Sequence, residues 1–250
     1  MRTALITGAT AGFGKAIAES LAKAGYRLII TGRRAERLDQ LSEELSPLTK
    51  VLTMPFDVRN ETEVNAAFDK LPGDWKNIDV LINNAGLALG KAHLESGLTE
   101  DWDQMMDTNV KGLLYVTKAA LPLLKLSENA HIINIGSIAG TEVYPGGNAY
   151  CASKHAVNAL SKAMRIELLP HAIRVSQIRP GLADTEFSVV RYKGDKEKAD
   201  EVYKGFEALQ AEDIARAALF ILESPRHVCI NDLEITPTAQ ANAYLLEKNL

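Results

Sequence analysis

An α/β fold, doubly wound around one parallel sheet of about seven strands, is predicted by three features of this 250-residue chain. Short apolar, β-branched runs alternate with longer segments of helical period along its length. The runs are nearly continuous in apolar residues rather than alternating, as strands covered on both faces must be. No stretch rich in Pro, Gly or Ser divides the chain, so residues 1–250 read as a single domain.

In order, "TALIT" (3–7) is the first strand. A glycine turn follows, then a helix whose apolar residues Ile17, Ala18, Leu21 and Ala22 recur at helical spacing and which Gly25 ends. "RLIIT" (27–31) is the second strand, and "ERLDQLSEEL" an amphipathic helix with Leu38, Leu41 and Leu45 on one side. "KVLTMPFDV" gives the third strand, "ETEVNAAFDKL" a helix, and "DVLINNAG" a fourth strand running into a turn. One long helix is predicted from about Thr99 to Leu124, then the strand "HIINIGS" (131–137) and a helix bearing Tyr150 and Lys154. "IRVSQIRPG" (173–181) is the sixth strand, "AEDIARAALFILE" (211–223) a late helix, and "NDLEITPTAQ" holds a last short strand. Residues 182–210 are polar and irregular and follow the sixth strand. Ligands bind beyond the carboxyl ends of such strands, so this insertion is the candidate substrate lid.

Composition narrows the function classes. With 46% hydrophobic and 24% charged residues, the chain reads as globular with a sizeable core. A net charge of −4 gives no general attraction to nucleic acid or to an anionic membrane. No apolar run approaches the ~18 residues that span a bilayer. The N-terminal run meets Gly8 too early for a signal peptide, and a cytoplasmic setting is expected. Cys151 and Cys229 have neither CxxC nor metal-ligand spacing, so no metal site is expected, and Cys151 reads as a small buried helix residue.

Between the first strand and first helix stands "TGATAGFG", with Gly8, Gly12 and Gly14. Glycines there let the backbone approach a ligand, and a helix N-terminus offers free N–H groups to a pyrophosphate. The spacing is GxxxGxG rather than GxGxxG, but its place after strand one and at the start of a helix points to a dinucleotide, as in a Rossmann domain. About 20 residues on, an acidic residue would hold a ribose 2′-hydroxyl, whereas arginine accommodates a 2′-phosphate. Arg33 and Arg34 occupy that place in "TGRRAERL", which points to NADP(H). In "NAYCASKHAV", Tyr150 and Lys154 lie one helical turn apart on one face. Alone, that spacing also fits an ordinary surface pair. In company, the ammonium is expected to lower a phenol pKa that is normally near ~10.

Taken together, TGxxxGxG, "NNAG" (83–86), "TNVKG" around Asn109, "GSIAG" around Ser137, YxxxK and "RPG" (179–181) resemble the short-chain dehydrogenase/reductase family. "NNAGLALG", "DTNVKGLLY", "EFSVVRYKGD" and the tail resemble its branch of NADP-dependent 3-hydroxy acid (serine or allo-threonine) dehydrogenases, beside which sulfoacetaldehyde reductases also stand. The resemblance implies that Tyr150 is the acid/base, that Lys154 holds the nicotinamide ribose, and that Ser137 polarises the substrate oxygen. Asn109 would hold a proton relay behind Lys154. Cofactor contacts are implied for Gly8, Thr10, Gly12, Phe13, Gly14, Asp57, Val58, Asn83 to Gly86 (with Asn84 and Ala85), Pro180, Gly181 and Thr185. A homotetramer, built on the helices at about 99–124 and 149–170, is implied as well.

His155 and Val157 depart from that branch, and Glu142 puts an acidic group near the expected pocket, which leaves the exact substrate open. A small acid needs a cation. Arg191, in the polar insertion, is the candidate, with Arg179 as the rival. A bulkier apolar carbonyl or a non-catalytic dinucleotide sensor are the alternatives. The presence of Ser137, Tyr150 and Lys154 together favours the enzyme.

Overall fold

The computed structural model describes residues 1–249, within which seven strands form one parallel sheet. They are β1 (Thr3–Ile6), β2 (Arg27–Gly32), β3 (Val51–Pro55), β4 (Val80–Asn83), β5 (His131–Ile135), β6 (Arg174–Pro180) and β7 (Asp232–Ile235), ordered β3-β2-β1-β4-β5-β6-β7 across the sheet. The described helices are α1 (Gly12–Lys23), α2 (Ala35–Leu45), α3 (Glu61–Asp69), α4 (Thr99–Met106), α5 (Leu113–Leu124), α6 (Asn148–Glu167), α7 (Glu186–Arg191), α8 (Lys196–Glu201) and α9 (Ala211–Glu223).

Successive strand residues feed opposite faces of the sheet. Ala4, Ile6, Leu28 and Ile30 pack in one core layer with Ile17 and Leu21 of α1, Leu38 of α2 and Ile221 of α9. Leu5 and Ile29 join the other layer, with Phe68 of α3, Val116 and Leu124 of α5, and Val157 of α6. Both layers are buried, which is why the strands read as continuous apolar runs. β1 lies between β2 and β4, so the winding reverses there and a crevice opens at their carboxyl ends. The turns after β1 and β4 meet at that point: the Asn84 side-chain amide donates to the carbonyls of Thr7 (2.9 Å) and Gly8 (3.1 Å).

Two expectations change. The long helix over 99–124 is α4 and α5 joined by a π-helical stretch, Asp107–Gly112, with Asn109 inside it. The apolar period does not register one such widened turn, although turns of this kind collect at functional sites. The insertion 182–210 is not structureless, since it holds α7 and α8. Each has only six residues, too few for a period, but each is capped: the Thr185 side chain accepts from the Phe187 N–H (3.2 Å) and Asp195 from the Lys198 N–H (3.1 Å). No described helix is long and apolar enough to cross a membrane.

Candidate active site

Two cavities share the crevice. The smaller, about 310 Å³, is lined by Gly8, Thr10, Gly12, Phe13, Arg33, Arg34, Asp57, Val58, Asn84, Ala85, Gly86, Tyr150, Lys154 and Thr185. The larger, about 630 Å³, is lined by Ser137, Tyr144, Tyr150, Pro180, Gly181 and Arg191 among others. Phe13, Gly136, Tyr150, Thr185 and Phe187 face both, so the Tyr150 ring stands at the junction. Gly14 faces neither. A side chain there would collide with the Gly8 carbonyl and the Asn84 amide, so Gly14 allows α1 to pack against the turn. Pro180 and Gly181 line the larger cavity and not the smaller.

The smaller cavity fits a dinucleotide on its own geometry. α1 begins with no side-chain cap and no acidic residue in its first turn, leaving its N–H groups and dipole for an anion. Gly8 has a φ of 65°, and a Cβ there would stand 3.0 Å from the Cα of Ala85. Arg34 donates to Thr10 Oγ1 at 2.9 Å, which brings a guanidinium over the turn. Asp57 is held by Arg59 through hydrogen bonds of 2.6 to 3.1 Å. These offset the cost of its burial and keep its carboxyl below the usual range.

At the junction, Lys154 and Tyr150 are both buried. The Lys154 ammonium donates to the Ile135 carbonyl at 3.0 Å and lies 5.9 Å from the centre of the Tyr150 ring. Burial brings the lysine down to about 8. Burial also pushes the Tyr150 phenol up, as does the nearby Tyr144, while Ser137 and Arg191 pull the other way. This reverses the expected direction for the tyrosine. Desolvation of the phenolate outweighs the pull of Ser137 and Arg191.

Asn109 reaches neither cavity. Its side chain accepts from the Leu87 N–H (2.8 Å), donates to the Leu87 carbonyl (2.8 Å) and donates to Ser153 Oγ (2.9 Å), bracing the loop after β4 behind Lys154.

Arg191 ends α7 and enters the larger cavity. Its Nε donates to the Gly90 carbonyl (3.2 Å) and its Nη1 to the Tyr144 hydroxyl (2.9 Å), while Nη2 is buried with no protein partner. The guanidinium lies 5.6 Å from the Tyr150 ring centre. Arg179 is held on the sheet by Asp232 (2.9 Å) and Glu234 (3.1 Å) and lines neither cavity. Glu142 accepts from the Ala243 N–H at 2.7 Å and so anchors the C-terminal segment instead of lining the pocket. His155 bonds the Cys151 carbonyl at 2.9 Å and Val157 is core, so neither residue that departs from the branch touches either cavity. Tyr144 and Glu186 were not singled out in the sequence. Tyr144 precedes a Pro-Gly-Gly turn with no period or motif to mark it.

The short-chain dehydrogenase family model matches residues 2–196. The chain belongs to the short-chain dehydrogenase family. Among its relatives, this short-chain dehydrogenase is 48% identical over 242 residues to the NADP-dependent 3-hydroxy acid dehydrogenase YdfG of Salmonella typhi, covering 96% of this chain and 97% of that one. It is 44% identical over 247 residues to sulfoacetaldehyde reductase 2 of Chromohalobacter salexigens, covering 98% of each. A serine dehydrogenase solved in its closed form with NADP+ superposes with a TM-score of 0.93 at 44% identity, covering 99% of this chain and 100% of that one. The single parallel-sheet domain and its oxidoreductase class follow from that membership.

Proposed function

We propose that this short-chain dehydrogenase oxidises small 3-hydroxy acids, or reduces the corresponding oxo acids, with NADP(H). The observation that carries this reading is Arg191, a half-buried side chain that lines the larger cavity with its guanidinium 5.6 Å from the Tyr150 ring centre and one nitrogen, Nη2, without a protein partner. A half-buried guanidinium with an unused donor calls for an anion, and carboxylate geometry matches its fork. Relatives at 46–48% identity, named for 3-hydroxy acids, support the reading.

Bound NADP(H) supplies hydride exchange at its nicotinamide. The chain's own residues do the rest. Arg33 and Arg34 would pair with the 2′-phosphate, and the open end of α1 would receive the pyrophosphate. Lys154 would hold the cofactor's ribose, with Asn84 to Gly86 lining the same cavity. Arg191 fixes the substrate carboxylate, so that the hydroxyl carbon is oriented and only a proton remains to be moved. Tyr150 takes that proton in oxidation and returns it in reduction, and Ser137 donates to the same oxygen. Burial opposes the phenolate, and Arg191, 5.6 Å from the ring, pulls the other way without overcoming it. Lys154, 5.9 Å from the ring, is the further cation we assign to favouring proton release.

Residues 182–210 serve as the lid. The Gly90 N–H donates to the Arg191 carbonyl (2.8 Å) and Lys193 pairs with Asp101 (2.9 Å), which fastens the segment to the loop after β4 and to α4. We place the enzyme in the cytoplasm as a homotetramer.

A sulfonate would suit the same guanidinium, which is the second reading that Arg191 supports, alongside the sulfoacetaldehyde reductase relative. Initial rates with NADP+ and NAD+ over 3-hydroxybutyrate-type acids, L-serine, isethionate and uncharged alcohols decide between them. Carboxylates ahead of isethionate support the proposal, and isethionate ahead supports the second reading. Uncharged alcohols turned over equally well would overturn both.

A further inference from the structure

Helix α7 forms a wall between the two cavities and is charged at both ends. Arg191 closes one end. At the other, Glu186 lines the smaller cavity together with Arg33 and Arg34. Its carboxylate lies 3.1 Å from Arg37 and 3.6 Å from Arg34. Arg34 is the guanidinium that also donates to Thr10 on the glycine turn, and Arg37 stands one helical turn further along α2. Asp57, the other acidic group lining this cavity, is already taken up by Arg59. Glu186 is therefore a carboxylate beside Arg34, one of the two guanidinium groups that a 2′-phosphate would use, and is tied to α2 through Arg37.

We infer that Glu186 is a specificity-determining residue: its carboxylate competes with the cofactor's 2′-phosphate for Arg34, and so sets the preference for NADP(H) below what the arginines alone would give. The inference rests on the 2′-phosphate reading given under Proposed function. An anionic phosphate entering beside a carboxylate meets like charge, and the arginines must be shared or released. NAD(H), with a hydroxyl at that position, meets no such cost. The groups are about half exposed, at 46–53% of their side-chain surface, so the effect belongs to the range of screened surface charges. The carboxylate also tethers α7 to α2 through Arg37, and a purely tethering role would affect both cofactors alike.

The test is Glu186→Gln beside the double variant Arg33→Ala/Arg34→Ala, each titrated with NADPH and with NADH by nucleotide fluorescence at low and high salt. Glu186→Gln is expected to lower the NADPH Kd about two- to fivefold, to leave the NADH Kd nearly unchanged, and to lose most of this gain at high salt. An unchanged ratio, or equal shifts for both cofactors, overturns the inference. If the arginine double variant weakens NADPH selectively while Glu186→Gln leaves the ratio unchanged, the competition alone fails. If the double variant weakens both cofactors equally, the 2′-phosphate reading fails and takes this inference with it.

Discussion

Removing the Arg191 side chain should separate charged from uncharged substrates. The guanidinium has three directed nitrogens. Nε is committed to the Gly90 carbonyl and Nη1 to the Tyr144 hydroxyl, while Nη2 is buried and free. A carboxylate can take Nη2 and the second proton of Nη1, and a charge-assisted hydrogen bond contributes about 1.5–3 kcal/mol. At about 1.4 kcal/mol per decade, losing one such contact raises KM for a 3-hydroxy acid roughly 10- to 150-fold, and losing both raises it towards ~10³. Arg191→Ala is therefore expected to raise that KM by one to three orders of magnitude, roughly. Its effect on a small uncharged alcohol should be only a few-fold. Arg191→Lys keeps a positive charge but cannot serve Gly90, Tyr144 and a carboxylate at once, so it should fall between wild type and alanine. Initial-rate assays of NADPH production supply both KM and kcat, and thermal melting checks that the lid contacts of Gly90 and Lys193 survive. If charged and uncharged substrates suffer alike in a folded variant, Arg191 is a lid fastener and the acid-binding argument falls.

Other outcomes follow from the same geometry. Tyr150→Phe keeps the ring at the junction but removes the proton, so kcat should fall by about 10²–10⁴ while NADPH titrates as in wild type. Near-normal kcat would remove Tyr150 from the mechanism. His131, fully buried against Ser176 at 2.7 Å, is brought down to about 3 by burial and by Arg174 and Arg2. The unfolded chain binds this proton below about pH 6.5 and the folded one does not until about pH 3, so stability present above the first value is lost as pH falls towards the second. Urea midpoints between pH 7 and 4 should fall less steeply in His131→Gln, and an unaltered slope would assign acid sensitivity elsewhere. Light scattering at micromolar concentration should give a mass near four chains, and a monomer would end the assembly proposal.

Much of this protein was legible without coordinates because its strands and the turn after strand one are local features. "TALIT" followed by "TGATAGFG" carries its own instructions: an apolar run for a doubly covered strand, glycines where the backbone must come close, then an uncapped helix start. The Tyr150–Lys154 spacing was equally local, since one helical turn fixes it. The direction of the Tyr150 pKa was not, because it depends on how completely the folded protein excludes water from the phenol. α7 and α8 escaped the pattern because six residues show no period, and the π stretch around Asn109 is a backbone widening that side-chain spacing does not register.

The sequence by itself determined the fold class and the cofactor turn, and placed Tyr150 one turn from Lys154. The assignment of arginines was left to the tertiary structure. Arg179, Arg191, Arg34 and Arg37 are indistinguishable as charged residues in a string. Folding spends Arg179 on Asp232 and Glu234, turns Arg191 into the larger cavity beside Tyr150, and brings Glu186 across about 150 positions of chain to Arg34 and Arg37. Which cation remains free for an anion is decided by which partners the fold brings within hydrogen-bond reach, and most of those partners are far away in sequence.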